Sequence, residues 1–314
     1  MELVLDFVFL IVGFLLLIKG ADFFVEGAAG IADRFHIPHM VIGLTIVAFG
    51  TSAPEAAVSI SAGLKGTAGI AMGNVLGSNI INILIILGIT SCICTLHVKK
   101  SSIKFDMPFL IIISAVLLAM CIIQGELNVI SGCIFVAFLL VFFLKIFRSV
   151  KKGQLEMEEE EEIKHHNIWV LLLMTVGGLV AIVFGSDITV DNAVAIAKVL
   201  GMSDALIGLT IIAFGTSLPE LITSITAGRK GNADIAIGNI IGSNIFNILF
   251  VLGITSFITT IPVNKTFFVD GVVGLLAAIV LYLFALKGNK LDRKSGIFMV
   301  SGYVIYFVTL LAFR

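Results

Sequence analysis

Displaced along itself by 165 residues, this chain matches its own sequence without a gap. Residues 42–91 and 207–256 share 35 of 50 positions. IGLTIVAFGTSAPE (42–55) repeats as IGLTIIAFGTSLPE (207–220), and IAMGNVLGSNIINILIILGITS (70–91) as IAIGNIIGSNIFNILFVLGITS (235–256). The same offset lays GADFFVEGAAGIA (20–32) on GSDITVDNAVAIA (185–197). The chain is a duplicated unit, and its fold must accommodate two copies of one structure.

The unit is apolar. Of 314 residues, 59% are hydrophobic and 13% charged, about half the charge of a soluble domain. Windows of the roughly 20 apolar residues that a bilayer-spanning helix needs recur along the chain, without the alternation of a transmembrane barrel. Ten windows are expected as helices, near 3–32, 39–64, 68–96, 104–123, 128–148, 168–198, 205–228, 233–259, 267–286 and 294–312. The first reads as a retained helix and not a removed signal peptide, since no basic region or cleavage site accompanies it.

Five helices per unit is an odd number, so the second unit must enter the membrane from the opposite side. The expected fold is an all-α polytopic membrane protein of ten transmembrane helices arranged as two inverted five-helix repeats. These are 1–148 and 168–314, joined by an acidic linker, 149–167. Of the 20 Lys and Arg residues, 15 fall after odd-numbered windows, 4 after even-numbered ones or at the C-terminus, and Lys19 lies within the first. The positive-inside rule then makes the odd connections and the linker cytoplasmic and both termini external.

The net charge of −1 gives no footing for nucleic acid. Cys92, Cys94, Cys121 and Cys133 form no CxxC pair and read as small buried hydrophobes. The five histidines lack metal-ligand spacing. The run of glutamates in the linker reads as a solvated connection. No cofactor or obligate protein partner is indicated; the partner expected everywhere is the lipid bilayer.

Glu55 and its mate Glu220 are the ionisable groups that a membrane interior tolerates least, which makes them functional candidates by default. Two carboxylates brought together repel unless a cation or proton lies between them. Pro54 and Pro219 lack an N–H, so the carbonyls of Gly50 and Gly215 lose their helical partners and become candidate oxygen ligands. Thr51 and Glu55, Thr216 and Glu220, Ser78 and Asn82, and Ser243 and Asn247 are all spaced i, i+4, on one helix face. Ser52 and Ser217 follow the threonines. Carboxylate, hydroxyl, amide and carbonyl oxygen, without Cys or His, is the ligand set of a hard cation. The Gly73-x-x-x-Gly77 and Gly238-x-x-x-Gly242 pairs are expected to press the third and eighth helices onto the second and seventh. Asp22, Glu26, Asp187 and Asp191 read as interfacial residues, or as an ion-entry vestibule.

GTSAPE (50–55) with GNVLGSNIIN (73–82), and GTSLPE (215–220) with GNIIGSNIFN (238–247), resemble the two alpha repeats of the sodium/calcium exchanger family, within the cation/calcium antiporter superfamily. The small size is similar to that of the prokaryotic branch. The resemblance implies that Glu55 and Glu220 hold Ca²⁺, helped by the carbonyls of Thr51 and Thr216. It implies one Na⁺ site at Ser52, Ser78 and the Ala48 carbonyl, another at Ser217, Ser243 and the Ala213 carbonyl, and Asn82 and Asn247 lining the middle. It also implies that the first and sixth helices slide to switch access. Some relatives carry Asp where this chain has Asn247, so the site keeps two formal charges, which argues against potassium dependence.

The expected function is a secondary antiporter in the cell membrane. It exports Ca²⁺ against entering Na⁺ by alternating access, the ions being substrates and not cofactors. A proton/calcium exchanger of the same fold is the alternative, which the hydroxyl-rich flanks disfavour; a cation channel fits two inverted half-sites less well. No enzyme motif is present.

Overall fold

The structure is a computed structural model and describes residues 2–66, 68–151, 167–201, 213–263 and 265–313. Most of the acidic linker and the first part of the seventh window lie outside the described residues. The rest is mostly helical. The helices are α1 (Glu2–Arg34), α2 (His39–Thr51), α3 (Ala53–Leu64), α4 (Ala68–Ile93), α5 (Ser102–Gln124) and α6 (Val129–Lys151). The second copy supplies α7 (Ile168–Val199), the short α8 (Ala213–Gly215), α9 (Leu218–Arg229), α10 (Ala233–Ile258), α11 (Lys265–Leu286) and α12 (Arg293–Phe313). Seven described helices are long and apolar enough to cross a membrane, and α2 with α3 makes an eighth when this bent pair is taken as one span.

The helices fall into a buried pair and a lipid-facing periphery. In α10, buried residues run from Asp234 through Asn247 without interruption, and α4 is nearly as enclosed. The outer helices expose large apolar side chains, among them Phe7, Ile11 and Leu15 on α1 and Trp169, Leu173 and Val176 on α7. Outward-facing apolar surface of this extent requires a lipid solvent, and the molecule is a multi-pass membrane protein.

Helices α1 and α7 lie antiparallel with their backbones touching. A Cβ at Gly13 would stand 2.9 Å from the Thr189 amide, one at Gly20 2.9 Å from the Gly178 carbonyl oxygen, and one at Gly27 2.7 Å from the Thr175 amide. Only hydrogen at these positions permits the approach. Two short antiparallel ladders stitch the copies together: Leu96–His97 pairs with Lys290–Leu291, and Glu126–Leu127 with Ile261–Pro262.

The copies are not in equivalent positions. α1 packs against α9, and Lys230, just beyond α9, reaches it there. Its Nζ donates to the Asp22 carbonyl (2.9 Å) and lies 3.7 Å from Asp22 Oδ1 and 3.5 Å from Glu26 Oε2. The repeat counterparts are α7, α3 and Lys65. There α7 forms no packed interface with α3, and Lys65 makes no ion pair with Asp187, Asp191 or any other described residue. Asp22 and Glu26 are thus tied to a lysine, whereas Asp187 and Asp191 are exposed.

Candidate cation site

The break between α2 and α3 builds the site. Ser52 leaves helical geometry (φ −86°, ψ 6°) and the two helices diverge by 46°. Its mate Ser217 adopts the same conformation (φ −91°, ψ 4°) before α9. Pro54 and Pro219 sit at the second positions of α3 and α9, where a missing N–H is harmless. Each glutamate therefore enters in the first turn of a helix, near amide groups that favour negative charge. Glu55 and Glu220 are 1% and 0% exposed.

Hydroxyls converge on Glu220. Ser52 Oγ donates to its Oε1 at 2.8 Å, and Ser243 Oγ lies 3.5 Å from the same atom and 3.4 Å from the Ala48 carbonyl oxygen. This corrects one expected grouping. The serine beside the Ala48 carbonyl and Ser52 is Ser243 of the other copy, because α10, not α4, packs on α2. The glycines explain why: a Cβ at Gly242 would stand 2.7 Å from both the Ala48 Cβ and the Leu44 carbonyl oxygen. The expected pressing of the eighth helix is therefore directed at the second. Residues 207–212, the repeat counterpart of 42–47, lie outside the described residues. A π-helical turn, Gly43–Val47, precedes Ala48, and matching ones begin at Asn82 and Asn247. Such turns occur often at functional sites.

A second expectation is also corrected. Pro219 does release the Gly215 carbonyl, but the Ser186 hydroxyl of α7 donates to it at 3.0 Å. That hydrogen bond ties the break to α7. Thr51 Oγ1 lies within donating distance of the Val47 carbonyl oxygen (3.1 Å) and of Asn239 Oδ1 (3.0 Å), which compete for its single O–H. Thr216 lies half-buried in the turn after α8, and Ala213 opens α8.

Ser78, Asn82, Ser243 and Asn247 are all buried on α4 and α10. Sequence reasoning passed over their neighbours. Asn239 Nδ2 donates to the Glu220 carbonyl (3.5 Å) and Ser224 Oγ (3.0 Å); Asn74 Nδ2 does the same to Glu55 (3.2 Å) and Ser59 (3.0 Å). These clamps hold the backbone that carries each carboxylate. The signal was available: Asn74, Ser78 and Asn82 continue one i, i+4 stripe, as do Asn239, Ser243 and Asn247.

Among the described residues, five buried oxygens of this set have no hydrogen-bond partner: Glu55 Oε2, Glu220 Oε2, Asn82 Oδ1, Asn247 Oδ1 and Ser217 Oγ. Each unsatisfied buried acceptor costs about 1–3 kcal/mol. Five such oxygens, two of them on carboxylates, are acceptors of the kind a hard cation takes. Among the described residues, no group of three or more His, Cys, Asp and Glu side chains forms a metal cluster; the oxygens come mostly from neutral groups.

The family description "Sodium/calcium exchanger protein" matches residues 5–147 and 170–312, one copy each. The chain is 30% identical over 349 residues to the sodium/calcium exchanger MaX1 of Methanosarcina acetivorans, covering 97% of this chain and 98% of that one. It is 36% identical to the inner membrane protein YrbG of Escherichia coli, with 96% and 95% covered. Its fold matches that of the sodium-calcium exchanger NCX_Mj, solved after soaking with Na⁺ and Sr²⁺, at a TM-score of 0.84, with 33% identity and 98% and 99% of the two chains covered. With both copies matched and nearly all of each relative spanned, the chain belongs to the sodium/calcium exchanger family.

Proposed function

We propose that this protein is a sodium/calcium antiporter that exports Ca²⁺ in exchange for Na⁺ by alternating access. The observation that carries the reading is the set of five unpartnered buried oxygens, centred on two carboxylates supplied by equivalent positions of the two copies. One Ca²⁺ neutralises Glu55 and Glu220, and Na⁺ ions compete for the same oxygens.

Glu55, Glu220, the Thr51 and Thr216 carbonyls, Asn82 and Asn247 form the centre. One flanking sodium site is Ser52, Ser243, the Ala48 carbonyl and Glu220, a grouping that follows the hydrogen bonds around Glu220. Repeat symmetry makes the other Ser217, Ser78, the Ala213 carbonyl and Glu55.

The architecture proposed is ten spans in two inverted five-helix repeats, 1–148 and 168–314, around a cytoplasmic linker at 149–167, with both termini outside in the cell membrane. The antiparallel course of α1 against its mate α7 and the bias of Lys and Arg towards one set of connections support it. The unequal engagement of α1 and α7 supports access from one side at a time. Ions and lipid are the partners this function requires.

The test is calcium-45 uptake into sodium-loaded proteoliposomes diluted into sodium-free buffer, beside potassium-loaded vesicles carrying a pH gradient. Uptake that requires internal Na⁺, and disappears in Glu55→Gln, is expected. Uptake driven by the pH gradient alone would assign proton coupling, and uptake with neither gradient would refute antiport.

A further inference from the structure

Asn79 and Asn244 are buried on α4 and α10 and hold each other's backbone. Asn79 Nδ2 donates to the Asn244 carbonyl at 3.4 Å, and Asn244 Nδ2 to the Asn79 carbonyl at 3.1 Å. A backbone carbonyl only accepts, so the nitrogen of each amide must face it and each Oδ1 must face the other way. Both of those oxygens are used. Asn247 Nδ2 donates to Asn79 Oδ1 at 3.1 Å, and Asn82 Nδ2 to Asn244 Oδ1 at 2.9 Å. Reversing the amide of Asn247 or Asn82 would set oxygen against oxygen. The reciprocal pair therefore dictates the orientation of both, and leaves Asn82 Oδ1 and Asn247 Oδ1 buried, unpartnered and turned from the pair.

From this crossed network we infer that Asn79 and Asn244 are positioning residues of the cation site, which present the amide oxygens of Asn247 and Asn82, and not their NH₂ groups, to the bound ion. Given the cation site proposed above, a reversed amide would turn N–H dipoles on a cation, so the pair sets selectivity for charge without touching the ion. It links the copies crosswise: Asn79 of the first orients Asn247 of the second, and Asn244 of the second orients Asn82 of the first. Outer partners of this kind typically contribute 10- to 100-fold to metal affinity.

The experiment compares Asn79→Ala, Asn79→Asp, Asn244→Ala and Asn244→Asp with the parent full-length protein. Calcium-45 binding to purified protein in detergent and sodium-dependent uptake in proteoliposomes are both measured, with thermal melting as the folding control. In the alanine variants the half-saturating Ca²⁺ is expected to rise about tenfold or more, with the maximal rate changing far less. A protonated aspartate copies the asparagine: its carbonyl accepts from the neighbouring amide and its O–H donates to the backbone carbonyl. The aspartate variants should therefore follow the parent at low pH and fall behind it as pH rises and the donor is lost. A half-saturating Ca²⁺ unchanged in well-folded alanine variants overturns the assignment. So does a lower maximal rate at parental affinity, or aspartate variants that differ from the parent equally at every pH. Because binding is measured apart from uptake, Ca²⁺ binding without sodium-driven uptake in the parent would overturn the antiport reading and leave the positioning role under test.

Discussion

Replacing Gly242 by alanine perturbs the cation site without removing a ligand. The added methyl would stand 2.7 Å from the Ala48 Cβ and the Leu44 carbonyl oxygen, where ordinary contact begins at 3.4 Å. Both are on the backbone of α2 or next to it, so the strain cannot be relieved by turning a flexible side chain. The helices must part by the difference, about 0.7 Å. Ca²⁺ accepts oxygens over a range of only about 0.3 Å, from 2.3 to 2.6 Å, and Na⁺ is of nearly the same size. Parting α10 from α2 separates Ser243 from the Ala48 carbonyl, which now lie 3.4 Å apart. Losing one oxygen contact to a charged group costs about 1.5–3 kcal/mol, which is about tenfold or more in affinity. Half-saturating Na⁺ for calcium-45 exchange should rise by that factor in Gly242→Ala. Gly302→Ala on α12, where a Cβ meets nothing within 4 Å, should match the parent. A folded Gly242→Ala protein with half-saturating Na⁺ within about twofold of the parent would show that close α2–α10 packing does not hold the site together.

Three further outcomes are expected. Ser186→Ala leaves the Gly215 carbonyl without its donor and should destabilise the protein by about 1–3 kcal/mol, seen as earlier thermal unfolding, with Ser186→Thr recovering much of it. Lys230→Glu replaces attraction to Asp22 and Glu26 with repulsion. It should increase labelling of a single cysteine placed at the α1–α9 contact, by a modest factor because exposed ion pairs contribute only about 0–1 kcal/mol; unchanged labelling would show that packing alone holds α1 there. Asp292 caps α12, accepting from the Ser295 amide and hydroxyl (both 3.0 Å), and these bonds hold its carboxyl below the ordinary aspartate range. Its contribution is thus present above that range and lost as pH falls through the folded-state value. Asp292→Ala should lower the melting temperature at neutral pH, and the gap from the parent should close in acid.

The sequence by itself determined the duplication, the apolar helices, the two carboxylates and the inventory of oxygens. These are local properties: a 165-residue offset, hydrophobic windows, and i, i+4 spacing on one helix. It also marked Pro54 and Pro219 as removing the helical partners of the Gly50 and Gly215 carbonyls, since a proline acts on the backbone just before it; that the chain turns at Ser52 and Ser217 came from the structure.

Only the tertiary structure decided which oxygens meet. Ser243, not Ser78, joins the Ala48 carbonyl because α10 is the helix that glycine allows against α2. The Gly215 carbonyl is taken by a serine 29 residues away, and Asn79 meets Asn247 across 168 residues. The offset says that two positions are equivalent; it does not say which position faces which across the interface between the copies. It is equally silent on why equivalent helices differ, with α1 tied to α9 through Lys230 while α7 stands off α3. Two related sequences hold unequal positions here, because each contact made by one copy is completed by residues of the other.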